Sequence, residues 1–85
     1  MNDSAQDSIA APDCNWQKVR WIKDVRYYEA HLHQDLWDGW VLTRVWGTIG
    51  AANGRVVHTP CDSYSAGVSR LGQIAQRRKQ HGYRN

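Results

Sequence analysis

RYYEAHLH, residues 26–33, is the stretch whose period decides the architecture. Tyr28, Ala30 and Leu32 fall on one parity, and Tyr27, Glu29, His31 and His33 on the other. Successive side chains of a strand point to opposite faces, so this alternation marks a half-buried β-strand. It names Tyr28, Ala30 and Leu32 as core. Upstream the same period recurs, with Val19 and Trp21 against Lys18 and Arg20, which predicts a strand following Trp16 and a turn at Lys23-Asp24. Downstream, Gln34 to Gly39 reads as a loop closing on Asp38-Gly39, and a third strand follows from Trp40 to Trp46. Both parities of that third strand are largely apolar, as expected of a strand covered on more than one side.

Farther out, Gly47, Gly50, Asn53 and Gly54 make residues 47–54 a glycine-rich turn, with Asn53-Gly54 a hairpin signal. Arg55 to Thr59 is the fourth expected strand, stopped by Pro60. The period then changes from two to between three and four. Asp62 or Ser63 is placed to cap a helix, and Tyr64, Val68, Leu71, Ile74, Ala75 and Arg78 form its apolar stripe. Gly67 and Gly72 each weaken such a helix by about 1 kcal/mol relative to Ala, so packing must hold it. Arg77, Arg78, Lys79 and His81 suit the negative end of the helix dipole, and Gly82 is a C-terminal cap. The expected fold class is α+β: a four-stranded antiparallel sheet with one C-terminal helix packed across a face. Residues 1–15 are expected to be a flexible acidic leader and residues 16–85 the single folded domain.

Composition narrows the function classes. A chain of 85 residues has room for one domain, and five Trp and four Tyr with no Phe supply large rings for a small core. The net charge of +3 divides unevenly: Asp3, Asp7 and Asp13 stand alone in residues 1–15, whereas residues 16–85 carry eleven basic against five acidic side chains. A basic domain attracts polyanions, of which nucleic acid is the most abundant. The two cysteines, Cys14 and Cys61, are too few for a disulfide scaffold. With no apolar run near membrane-spanning length and no signal-peptide pattern, a soluble, cytoplasmic protein with no membrane partner is expected.

The stretch from Arg26 to Gly82 resembles a WGR domain, and the resemblance extends over residues 16–83. Arg26-Tyr27-Tyr28 opens the strand that the family begins with an aromatic pair, and Gly39-Trp40-Val41-Leu42 opens the next. Trp46-Gly47-Thr48-Ile49-Gly50 stands where the family has Trp-Gly-Arg-Ile/Val-Gly, while Asp62-Ser63, Ala66 and Gly82-Tyr83 match the helix and its end. WGR domains occur in nuclear poly(ADP-ribose) polymerases, where they bind DNA ends, and as bacterial modules. The resemblance implies that Trp46 packs against sugar or base of a bound DNA. Thr48 replaces the signature Arg, bringing a hydroxyl but neither charge nor a bidentate fork. Arg44, on the same strand face as Trp46, or Arg55, after the turn, is positioned to supply the charge.

The expected function is therefore a small non-enzymatic module that binds nucleic acid, DNA rather than RNA, at ends or single strands. Its candidate residues are Trp46, Gly47, Thr48, Arg44, Arg55, Arg26 and Trp37. Aromatic rings beside cations are what such a surface needs: stacking contributes about 1–3 kcal/mol per base and phosphate contacts add salt-dependent affinity. The alternative is a protein-interaction module using the same aromatic surface. No cofactor or metal is expected. His31, His33, His58 and Cys61 lack paired Cys-x-x-Cys spacing, and Ser63 or Cys61 with His58 lacks an oxyanion framework for nucleophilic catalysis.

Overall fold

The two-residue period produces a sheet whose strands follow chain order. β1 (Gln17–Lys23), β2 (Arg26–Gln34), β3 (Trp40–Thr48) and β4 (Arg55–Cys61) pair antiparallel in the order β1-β2-β3-β4, and α1 (Tyr64–Gln80) follows. The computed structural model describes residues 16–85. The leader expected over residues 1–15 lies outside the described residues. The fold class expected from the sequence is the one observed.

Register determines which side chains meet. Trp21 pairs with Tyr28, Tyr28 with Trp46 and Trp46 with Arg55, so one row crosses all four strands. A second row runs Val19, Ala30, Arg44, Val57, and a third Gln17, Leu32, Leu42, Thr59. These rows share the face covered by α1. The core is Trp21, Tyr28, Ala30, Leu32 and Leu42 from the sheet and Leu71 from the helix. Leu32 and Leu42 are fully buried, each contributing about 1.5–3 kcal/mol by leaving water.

The helix comes close because Gly67 lets it. Gly67 is buried, and a Cβ there would overlap Leu32 Cδ1. Val68, expected on the buried stripe, is instead 37% exposed. The helix is rotated so that its glycine seats on Leu32 and Leu71 fills the core. Gly72 has no atom within 4 Å of an added Cβ, so its glycine serves no packing need.

Both helix ends are satisfied locally. Ser63 is the N-cap, its hydroxyl accepting from the Ala66 N–H at 3.0 Å. At the other end Gly82 adopts φ 87°, and a Schellman turn forms: Gly82 N–H donates to Lys79 C=O (3.1 Å) and Tyr83 N–H to Arg78 C=O (2.9 Å). Lys23 Nζ of β1 donates to the His81 carbonyl at 2.7 Å. The chain then returns to the β1 edge, where Ile22 and Arg84 exchange backbone hydrogen bonds of 2.7 and 2.9 Å.

Pro60 does not stop β4. The strand continues to Cys61, with Pro60 paired to Val41. β4 is an edge strand, where alternate N–H groups point away from the sheet, so a residue with no N–H is tolerated. The third strand is also less enclosed than its composition implied. Val41, Thr43 and Val45 face away from α1, and among the described residues no helix or strand covers that face. Thr43 is nevertheless buried, because His33 Nε2 and His58 Nδ1 each lie 2.8 Å from its hydroxyl.

Replacing each helix glycine by alanine separates packing from propensity. Gly72→Ala is expected to raise stability by up to about 1 kcal/mol through helix propensity. Gly67→Ala is expected to lower it by about 1–3 kcal/mol through overpacking against Leu32. Urea denaturation of the two variants measures both; equal and stabilising effects would contradict the close approach at Gly67.

Candidate nucleic-acid interface

Trp46 occupies the row where the sheet's aromatic residues converge. Its indole stacks on Tyr28, with ring centroids 5.6 Å apart and an interplanar angle of 12°. Tyr28 meets Trp21 and Tyr83 edge-on at 6.1 and 6.5 Å, and the Arg78 guanidinium lies 4.3 Å from its ring centre. The Arg44 guanidinium, two residues before Trp46 on the same face, lies 5.8 Å from the Trp46 ring. The signature indole is thus half-buried against the core. Its outer part lines a recess of about 280 Å³ together with Arg26, Tyr27, Gly47, Thr48 and Tyr83.

The structure brings Arg26, Trp46, Gly47 and Thr48 into that one recess. Arg26 is the register partner of Thr48, and Arg55 that of Trp46. Arg44 flanks the indole on its other side, as its shared parity with Trp46 implied. Trp37 does not join them. It is 83% exposed in the β2–β3 connection, at the opposite end of the sheet from Thr48. Trp46 lies six residues along the strand from Trp40, which at the usual rise per residue is about 20 Å.

Two recess residues lay outside the candidate set. Tyr27 explains the signature glycine: Gly47 pairs with it across the strands, and a Cβ on Gly47 would come within 3.2 Å of the Tyr27 hydroxyl. A Cβ on Gly54 would come closer still, at 2.7 Å, so the two glycines form the seat of that phenol. Tyr83 reaches the recess through the Schellman turn that redirects the chain after α1. The sequence signal for Tyr27 was the aromatic pair at 27–28; for Tyr83 it was the position just after the capping glycine.

The groups weighed for metal or nucleophilic chemistry are dispersed. His58 and Cys61 are three residues apart on one strand and so project to opposite faces. His33 and His58 engage Thr43, His31 Nε2 lies 3.1 Å from Glu29 Oε1, and Ser63 is committed to its cap. Among the described residues no three His, Cys, Asp or Glu side chains gather as a metal site. No helix among them is long and apolar enough to cross a membrane.

The family model of the WGR domain matches residues 16–85, which includes every element of the fold and every residue of the recess. No curated protein and no solved structure matches the chain. WGR domains are small, non-catalytic modules associated with binding nucleic acid and with protein interaction. With its Trp46-Gly47 pair at the end of β3 and its sheet capped by one C-terminal helix, this chain belongs to the WGR domain family.

Proposed function

We propose that this protein binds nucleic acid, DNA in preference to RNA, at ends or single strands, through the recess around Trp46. The observation that carries the reading is a half-exposed indole, held by Tyr28 and flanked by Arg44, whose strand neighbours Arg26 and Arg55 add further positive charge. A ring already fixed by stacking offers its edge to a sugar or terminal base at little entropic cost. Arg26, opposite Thr48, takes over the charge that Thr48 does not bring, and the Thr48 hydroxyl remains as a hydrogen-bonding group for phosphate. A free thiol at Cys61 fits a reducing, cytoplasmic setting.

A second reading, docking of a partner protein, is favoured by one feature at the other end of the sheet. Leu36 and Trp37 are 91% and 83% exposed. Asp35 Oδ1 accepts from the N–H groups of Trp37 (2.9 Å) and Gly39 (2.8 Å), which fixes the loop that carries them. Tryptophan is among the residues enriched at the hot spots of protein interfaces.

Titration of a labelled short DNA duplex with free ends, followed by fluorescence anisotropy, tests the first reading. Affinity is expected to fall steeply with salt, and Trp46→Ala to weaken it about fivefold or more, since aromatic contact with a base contributes about 1–3 kcal/mol. Absence of any salt-dependent binding to DNA or RNA at low ionic strength would remove the proposal.

Exchange of charge at the recess gives a second test. Thr48→Arg is expected to strengthen binding and steepen the salt slope by about one unit, and Arg26→Gln to reduce the slope by about the same. Trp37→Ala is expected to leave nucleic-acid affinity unchanged, whereas capture of a protein partner in the presence of nuclease would be lost if the second reading holds.

A further inference from the structure

A second basic feature lies beside the recess, on the helix side of the sheet. A cleft of about 200 Å³ opens between α1 and β3, lined by Arg44, Arg70, Arg77 and Arg78 over Tyr28 and Ile74. Arg70 and Arg77 stand seven residues apart, two helical turns on one face, with Arg78 beside them. Arg44 comes from β3, so only the packing of α1 on the sheet brings the fourth guanidinium to the other three.

Among the described residues no carboxylate balances these charges. The cleft has no acidic lining residue, and α1 contains no Asp or Glu. Among the described residues the ion pairs are Arg20 with Glu29 and His31 with Glu29, all on the sheet face away from α1. Two of the four cations are oriented by aromatic rings instead. Arg78 lies 4.3 Å from the Tyr28 ring centre and 5.2 Å from that of Tyr83, with its Nε buried and without a hydrogen-bond partner. Arg44 lies over Trp46. Four like charges around one small volume repel each other, and cation–π contacts hold two of them there without neutralising any. An anion in the cleft removes that repulsion and accepts from guanidinium donors, two of which, Arg44 and Arg78, are already held by rings.

Size and charge together select the anion. The cleft is smaller than the roughly 300–1,000 Å³ of a drug-sized pocket, so it suits a small ligand and not a peptide helix, and its four guanidinium groups favour an anion over a neutral base. A single carboxylate leaves most of the positive charge unmatched. Phosphoryl groups present several acceptor oxygens and more than one negative charge in a small volume, the geometry that guanidinium forks suit.

We propose that the Arg44–Arg70–Arg77–Arg78 cleft is a binding site for a compact phosphoryl oxyanion of two or more negative charges. Its occupant is either a free polyphosphate or a phosphate of nucleic acid bound at the Trp46 recess. The site itself does not depend on the nucleic-acid reading.

The test uses the full chain with inorganic pyrophosphate as the probe, read by calorimetric titration and thermal melting against KCl of equal ionic strength. Pyrophosphate at a hundredfold excess over its Kd is expected to raise Tm by on the order of 10 °C. The exposed pair Arg70→Gln with Arg77→Gln is expected to weaken pyrophosphate binding at least tenfold, whereas Lys79→Gln, on the same helix end but outside the cleft, leaves it within twofold. Equal effects of pyrophosphate and KCl would overturn the site, as would equal weakening per charge removed at Lys79 and at the arginines. If the double variant also loses DNA affinity and pyrophosphate displaces DNA, nucleic acid is the source of the phosphate. If DNA affinity is unchanged and both ligands bind together, the occupant is a free polyphosphate. Pyrophosphate binding in a protein that binds no nucleic acid supports the cleft and refutes the function proposed for the recess.

Discussion

The contact of Gly67 with Leu32 is the constraint on which the remaining architecture depends. A four-stranded sheet with one helix has a single apolar face to bury, and the helix must approach it closely to exclude water. Glycine at the point of contact permits that approach, and Leu71 then fills the space one turn farther along. The rotation of α1 that follows puts Val68 outside and turns Arg70, Arg77 and Arg78 toward β3. It also brings the helix end to where the Schellman turn can lay Tyr83 beside Tyr28. The intrinsic cost of glycine in a helix, about 1 kcal/mol, is offset at position 67 by packing and at position 72 by nothing in the structure.

From that contact grows an aromatic row that is both core and surface. Trp21, Tyr28 and Trp46 occupy adjacent positions in the register, and burial declines along the row from Trp21 toward Trp46. Arg78 and Arg44 lie over the rings of this row, so that aromatic residues which stabilise the domain also orient its cations. In a domain this small there is little interior to spare, and a ring at the end of the sheet serves packing on one face and contact on the other.

The two faces of the sheet differ in chemistry. The α1 side combines the apolar core with arginine and has no acidic residue along its strands or on α1. The other side holds Glu29 with its partners Arg20 and His31, and the Thr43 hydroxyl between His33 and His58. Positive charge is therefore concentrated where the rings are, around the helix and the Trp46 end, while the far side holds the Glu29 pairs, neutral polar groups and Lys18.

Local pattern alone determined much of this. The alternation at residues 26–33 identified Tyr28, Ala30 and Leu32 as core, because side-chain parity is a property of an extended backbone, and turn signals between the runs bounded the third and fourth strands to within two residues. Ser63 as a cap and Gly82 as a helix stop were legible because capping chemistry is local. So was the pairing of Arg44 with Trp46 on one face. What sequence could not show was position in the sheet and rotation of the helix. Pro60 reads as a stop until β4 proves to be an edge strand, and Trp37 reads as part of an aromatic surface until the hairpin order puts it at the opposite end. Arg77 and Arg78 read only as complements of the helix dipole until α1 docks and brings them to Arg44 of β3. Each of these depends on contacts between residues far apart in the chain: strand order for Pro60 and Trp37, and the docking of α1 at Gly67 for the arginines.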